Sequence, residues 1–150
     1  MPKTKEKRTR DQMLTCLAEA VLNAQRHKRA GDPPKIYSQY IRYAVGQFAD
    51  EEGIRRRSLK AVGKARGEVV HDHIIPHSFI LEKLLNLKKV SHNSLSGIIE
   101  KYYRIGIITK GENARLSKMG LNSKMPNDWD QNNGDVYARY ARAGIKLSTV

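Results

Sequence analysis

The chain has 150 residues, 39% of them hydrophobic, and a formal net charge of +13 with an isoelectric point near 10.0. That length suits one modest core with a helical extension, and the charge calls for an anionic partner: nucleic acid first, a membrane surface a distant second. A single cysteine excludes an internal disulfide and any thiolate zinc site, and no apolar run reaches membrane-span length.

Residues 1–10 hold no apolar side chain after Met1 and read as a mobile basic arm. No apolar signal core follows, so a soluble, cytoplasmic protein is expected. Leu14, Leu17, Val21 and Ala24 recur at helical spacing and predict a helix over 11–29, with Cys16 as a small buried hydrophobe and Gly31, Pro33 and Pro34 as its end. His27 falls at its basic end, a surface position. Ile36, Tyr37, Tyr40, Ile41, Ala44, Val45 and Phe48 predict a second helix over 34–50, packed into the core.

Residues 54–66 concentrate basic side chains with no acidic one, and a short helix weakened by Gly63 is expected there. Arg55, Arg56, Arg57, Lys60, Lys64 and Arg66 are the candidate phosphate contacts. The excess charge lies mostly before residue 67. The chain therefore divides into a basic helical extension, 1–66, that grips nucleic acid, and a chemical part, 67–150.

That chemical part opens with Val69-Val70-His71-Asp72-His73-Ile74-Ile75-Pro76. A β-branched run over 68–73 reads as a strand that stops at a carboxylate and two imidazoles. Asp72 offers a hard oxygen to a divalent cation, and His73 can take a proton from water near neutral pH. His71, one residue before Asp72, projects to the opposite strand face and suits a supporting or DNA-contacting role. Phe79, Ile80, Leu84 and Leu85 predict a helix packing back over the strand. Leu95, Ile98, Ile99, Tyr102 and Tyr103 predict another, starting near Asn93 or Ser94 and ending at Gly106.

Ile107-Ile108 then precede Thr109-Lys110-Gly111-Glu112, which has capping-box spacing and predicts a helix from Lys110 to about Met119, ended by Gly120. Residues 127–135 read as a loop with Trp129 as its anchor. A last short helix should hold Val136, Tyr137, Tyr140 and Ala141, with Arg139 and Arg142 either adding to the DNA surface or facing solvent.

Asp72-His73-Ile74-Ile75-Pro76 resembles the first motif of the HNH, or His-Me finger, nucleases. The resemblance, over about residues 68–125, implies an α+β, mostly helical fold with a ββα-metal core. It implies a phage, restriction or mobile-element type of endonuclease in which His73 is the general base and Asp72 a metal ligand. In one register Ile107-Ile108-Thr109 is the second strand and Asn113, in the first helical turn, completes the metal site. Arg104 then occupies the place of the family's central Asn, a bracing role left vacant or taken by Asn93 or His92. In the other register Asn113 braces, Ala114–Ser117 form the strand, and Asn122 is the ligand. Oxygen ligands suit Mg2+ or Mn2+. Either register requires a helical insertion after His73.

The expected partner is double-stranded DNA, with a homodimer as a way to cut both strands. Two other functions stay open: a basic nucleic-acid-binding protein that does not cut, and an RNA-cleaving toxin on the same scaffold.

Overall fold

The computed structural model describes residues 7–149. The first six residues of the expected arm lie outside that range. Arg8 and Arg10, its last basic residues, are fixed: Arg8 donates to Gln47 and Arg10 pairs with Glu51.

α1 (Arg10–Arg29) starts at Thr9, whose hydroxyl accepts from the Gln12 amide while the Gln12 side chain returns to the Thr9 amide. This reciprocal cap satisfies donors that a helix start leaves open. Its buried stripe is Met13, Leu14, Leu17, Ala20, Val21 and Ala24. The second expected helix is broken into a 3-10 turn at Pro34–Ile36, α2 (Ser38–Gly46) and a second 3-10 turn at Gln47–Asp50. Tyr37, Ile41, Ala44, Val45 and Phe48 are buried, whereas Ile36 and Tyr40 are exposed, because the break at Tyr37 turns them out of the stripe.

The helix expected over 54–66 does not form. Arg55–Arg57 are strand β1, followed by 3-10 turns at Leu59–Ala61 and Arg66–Glu68. β2 (Val69–His73) leads into α3 (His77–Leu85) and α4 (His92–Tyr102), which fill the expected insertion. β3 (Ile105–Thr109) and α5 (Lys110–Lys118) follow, and α6 (Ala138–Ala143) closes the chain. Gly106 does not end α4; it lies inside β3.

The sheet order is β1-β3-β2, with β1 parallel and β2 antiparallel to β3. The boundary expected at residue 66 is therefore crossed by the sheet. The main core crosses it too, joining the stripes of α1 and α2 to Ile75, Ile80, Leu84, Leu95, Ile99, Tyr103 and Ile105. A second cluster, Ile74, Ile108, Leu116, Leu121, Tyr140, Ala143 and Ile145, packs α5 and α6 on the other side of the sheet. A basic strand is tolerated at the edge because long arginine stems cover apolar surface while their heads reach polar partners.

The capping box at Thr109 forms as expected, and Gly120 (φ 71°) follows the end of α5. Its carboxylate, Glu112, is only 3% exposed and also accepts from the buried Ser58 hydroxyl at 2.6 Å, tying α5 to the segment after β1. Trp129 anchors its loop as expected. Its ring meets Phe79 edge-on at 5.3 Å, and Nε1 donates to the Asp135 carbonyl. No helix among the described residues is long and apolar enough to cross a membrane.

Candidate functional site

Strand alternation decides which groups of the β2 motif meet. Val70, Asp72 and Ile74 face α5 and α6; Val69, His71 and His73 face the other way, with Ile105 and Ile107. Asp72 and His73, adjacent in sequence, thus work on opposite sides of the sheet.

On the first side, register places Gly106 of β3 beside Asp72 and Arg56 of β1 beside Gly106. The Asp72 carboxylate accepts from the Tyr140 hydroxyl at 2.8 Å and from Arg139 Nη1 at 3.1 Å. Arg139 is 0% exposed. It also donates to the carbonyls of His73, Ile74, Leu121 and Asn122 at 2.8, 3.0, 2.6 and 3.3 Å. One guanidinium joins the end of β2, the segment after α5, and α6. A buried cation survives only when paired and hydrogen-bonded, and this one has both kinds of partner. Burial and the neighbouring Asp72 charge push the Tyr140 phenol up, so it stays a donor. Arg139 is therefore neither a DNA contact nor a solvated group, as its neighbours in sequence suggested. Arg142 is exposed and pairs with Asp128.

This geometry tests the divalent ion implied for Asp72. The carboxylate side chain is 12% exposed and spends its oxygens on Arg139 and Tyr140. A dication there would share the carboxylate with a fixed positive charge. The residues at Asp72 do not fit a metal ion in this arrangement: the cation they hold is Arg139.

The two candidate asparagines separate. Asn113 lies in α5, on the sheet side that carries Asp72, half-buried and three residues before the buried Leu116. Asn122 is exposed and approaches the site through its backbone carbonyl, which Arg139 holds. The register that made Ala114–Ser117 a strand is overturned, since all four residues are helical; the capping box wins. The bracing roles weighed for His92 and Asn93 fail as well. They open α4, whereas Tyr103, just past its other end, is the residue beside His73, a helix length of about 15 Å away. His92 instead contacts Thr15 of α1. Arg104 covers the carbonyls of Ile99 and Glu100 in the last turn of α4 and that of Tyr103 just past it. His27, expected at the surface, is half-buried against Asp32 and stacked on Tyr37.

On the other side, the His73 ring lies 5.7 Å from that of His77 and 6.1 Å from that of Tyr103. Burial and then the charge of Arg42 lower its pKa, with Asp72 opposing. Both effects favour the unprotonated ring, the state a general base needs. Desolvation and the charges of Arg55, Arg66 and Arg57 lower His71 too, which places three cations around it. The rows Arg55–Ile105–His73 and Arg57–Ile107–His71 run across this face.

The six candidate phosphate contacts are unequal. Arg56 donates to the Ser148 carbonyl at 2.7 Å and lies over the Tyr137 ring; Arg57 donates to the Ala61 carbonyl at 3.1 Å. These two build structure. Arg55, paired with Asp50, and Lys60, Lys64 and Arg66 are exposed.

His77 is the residue that sequence reasoning missed. It is 9% exposed, and neither ring nitrogen has a hydrogen-bond partner among the described residues. Its only signal was the spacing His73-x-x-x-His77 across a proline.

No protein-family model matches the chain, and comparison with curated proteins and with solved structures gives no match.

Proposed function

We propose that this protein is a DNA endonuclease of the His-Me finger type, in which His73 activates water for attack on a backbone phosphate. The observation that carries this reading is the place of His73: an imidazole whose neutral form burial favours, at the end of β2, on the sheet face shared with Arg55, Arg57 and His71, with the charge of Arg66 also bearing on His71. The order antiparallel β2, β3, then α5 matches the ββα order of that family, although α5 packs on the Asp72 face of the sheet, opposite His73.

In the reaction, water gives a proton to His73 as its oxygen bonds to phosphorus, and the bond from phosphorus to the leaving sugar oxygen breaks, that oxygen taking a proton from solvent while His73 later returns its own to solvent. The basic face holds the strand and offsets the phosphate charge. Mg2+ or Mn2+ belongs to the family reading, but no step is assigned to an ion at Asp72. One such site cuts one strand, so duplex cleavage calls for a homodimer or two encounters. On RNA the neighbouring 2′-hydroxyl would replace water as nucleophile.

The test is plasmid nicking, with an RNA substrate alongside, in Mg2+, in Mn2+ and in chelator. Removing a general base costs roughly 10²–10⁴-fold. Equal nicking by wild type and His73→Ala would end the catalytic assignment. The Arg139–Asp72 pair favours a second reading, a basic protein that grips nucleic acid without cutting. Its signature is salt-dependent binding with no cleavage under any condition.

A further inference from the structure

α3 follows directly on Pro76, its N-cap residue, and no side chain caps it. The first amides of a helix have no partner within it, and a capping oxygen or a carboxylate in the first turn normally supplies one. The first turn of α3 has no acidic residue. At its first position stands His77, buried with both ring nitrogens unpartnered among the described residues. A side chain at this position leans back toward the helix start. The Phe79 amide donates to the Pro76 carbonyl, which leaves the amides of His77 and Ser78 as the open donors; with the unsatisfied imidazole they gather where β2 hands over to α3, next to His73.

The surrounding charge decides what these groups accept. Arg42, exposed on α2, bears on both His73 and His77 and disfavours positive charge at either. A metal ion would meet two imidazoles and a repelling guanidinium. An oxyanion would meet helix amides, imidazole N–H donors and an attracting guanidinium.

The geometry points to an oxyanion seat at the start of α3, formed by its free amides with His77, His73 and Arg42, that takes a phosphoryl group of a nucleic-acid backbone. His77 holds the phosphate as a hydrogen-bond donor, and Arg42 supplies charge from α2. The phosphate then lies beside the imidazole that would activate water. The identity of the phosphate's owner rests on the endonuclease reading; the seat itself does not require cleavage.

The test is NMR of the histidine ring signals of the full chain at constant ionic strength, with inorganic phosphate as the first probe. Saturable shifts of both His73 and His77 are expected. Arg42→Gln, an exposed change that leaves the core alone, should weaken phosphate affinity about tenfold, the worth of one charge-assisted hydrogen bond. His77→Phe keeps a ring in place and should weaken the His73 response at least as much. A short DNA duplex should compete with phosphate for the same signals.

Absence of a saturable phosphate shift overturns the seat, as does an unchanged affinity in Arg42→Gln and His77→Phe. Shifts with zinc ion and none with phosphate would make it a metal site and overturn it equally. Phosphate binding that duplex DNA does not displace would overturn the nucleic-acid assignment. Because the readout needs no turnover, a working seat in a chain that never nicks DNA would refute the enzyme reading alone.

Discussion

Gly106 lies directly across from Asp72 in the β2–β3 pairing, and its missing side chain is the space that the Tyr140 ring occupies to reach the Asp72 carboxylate. A Cβ at Gly106 would overlap the Tyr140 hydroxyl and ring. Gly106→Ala must expel Tyr140 from a fully packed cluster. It should cost about 2–4 kcal/mol, as overpacking and the loss of a buried hydrogen bond combine. Urea denaturation measures this, and Gly106→Ala combined with Tyr140→Ala should recover part of the loss. Equal stability of wild type and Gly106→Ala would refute the close approach.

Arg139 and Asp72 should respond unequally to truncation. Arg139→Ala strands a buried carboxylate and several carbonyls, and should cost about 3–5 kcal/mol. Asp72→Asn leaves a polar acceptor for Tyr140 and Arg139, and should cost less. If Asp72 instead served a tightly held dication, Mg2+ would raise the wild-type melting temperature and Asp72→Asn would abolish that rise. With Arg139 in place, no Mg2+-dependent rise is expected.

The basic residues divide into two experimental classes. Lys60→Gln, Lys64→Gln and Arg66→Gln should lower DNA affinity uniformly across sequences, and each should reduce the salt slope by about 0.9, the effect of one phosphate no longer neutralised. Arg56→Gln should act on stability, because its guanidinium holds the Ser148 carbonyl. Binding measured over a salt series, beside denaturation curves, separates the two. A stable Arg56→Gln protein with a strongly reduced salt slope would reverse the assignment.

Acid should destabilise the fold through His77. Burial, then Arg42 and His73, lower its pKa from 6.5 to about 4. The unfolded chain therefore binds this proton more readily than the folded one. The contribution is fully present above pH 6.5 and is lost as pH falls toward 4, by up to roughly 3 kcal/mol. His73, shifted the same way, adds to the slope. Unfolding free energy at pH 7 and pH 5 should differ more in wild type than in His77→Phe. A slope that survives that substitution unchanged would place the titrating group elsewhere.

Much of the local structure could be read from the residues. The stripe of α1, the strand ending at His73, the helices after Pro76 and near Ser94, and the capping box that starts α5 all rest on interactions within a few positions of the chain. Periodicity and capping are local physics, so the sequence carries them openly.

What those elements do to one another was set only by packing. Arg55–Arg57 became an edge strand because β3 offers them a backbone ladder, a partner some 50 residues downstream that no local pattern reveals. Arg139 looked like one more surface cation and became the buried ion beside Asp72, since four carbonyls and a carboxylate converge there only after α6 docks. His73 found His77, not Asp72, because a pleated strand sends neighbouring side chains to opposite faces and the turn at Pro76 folds the next imidazole back. Composition determined the large excess of positive charge; the tertiary fold decided which of those charges are paired or buried and which are exposed.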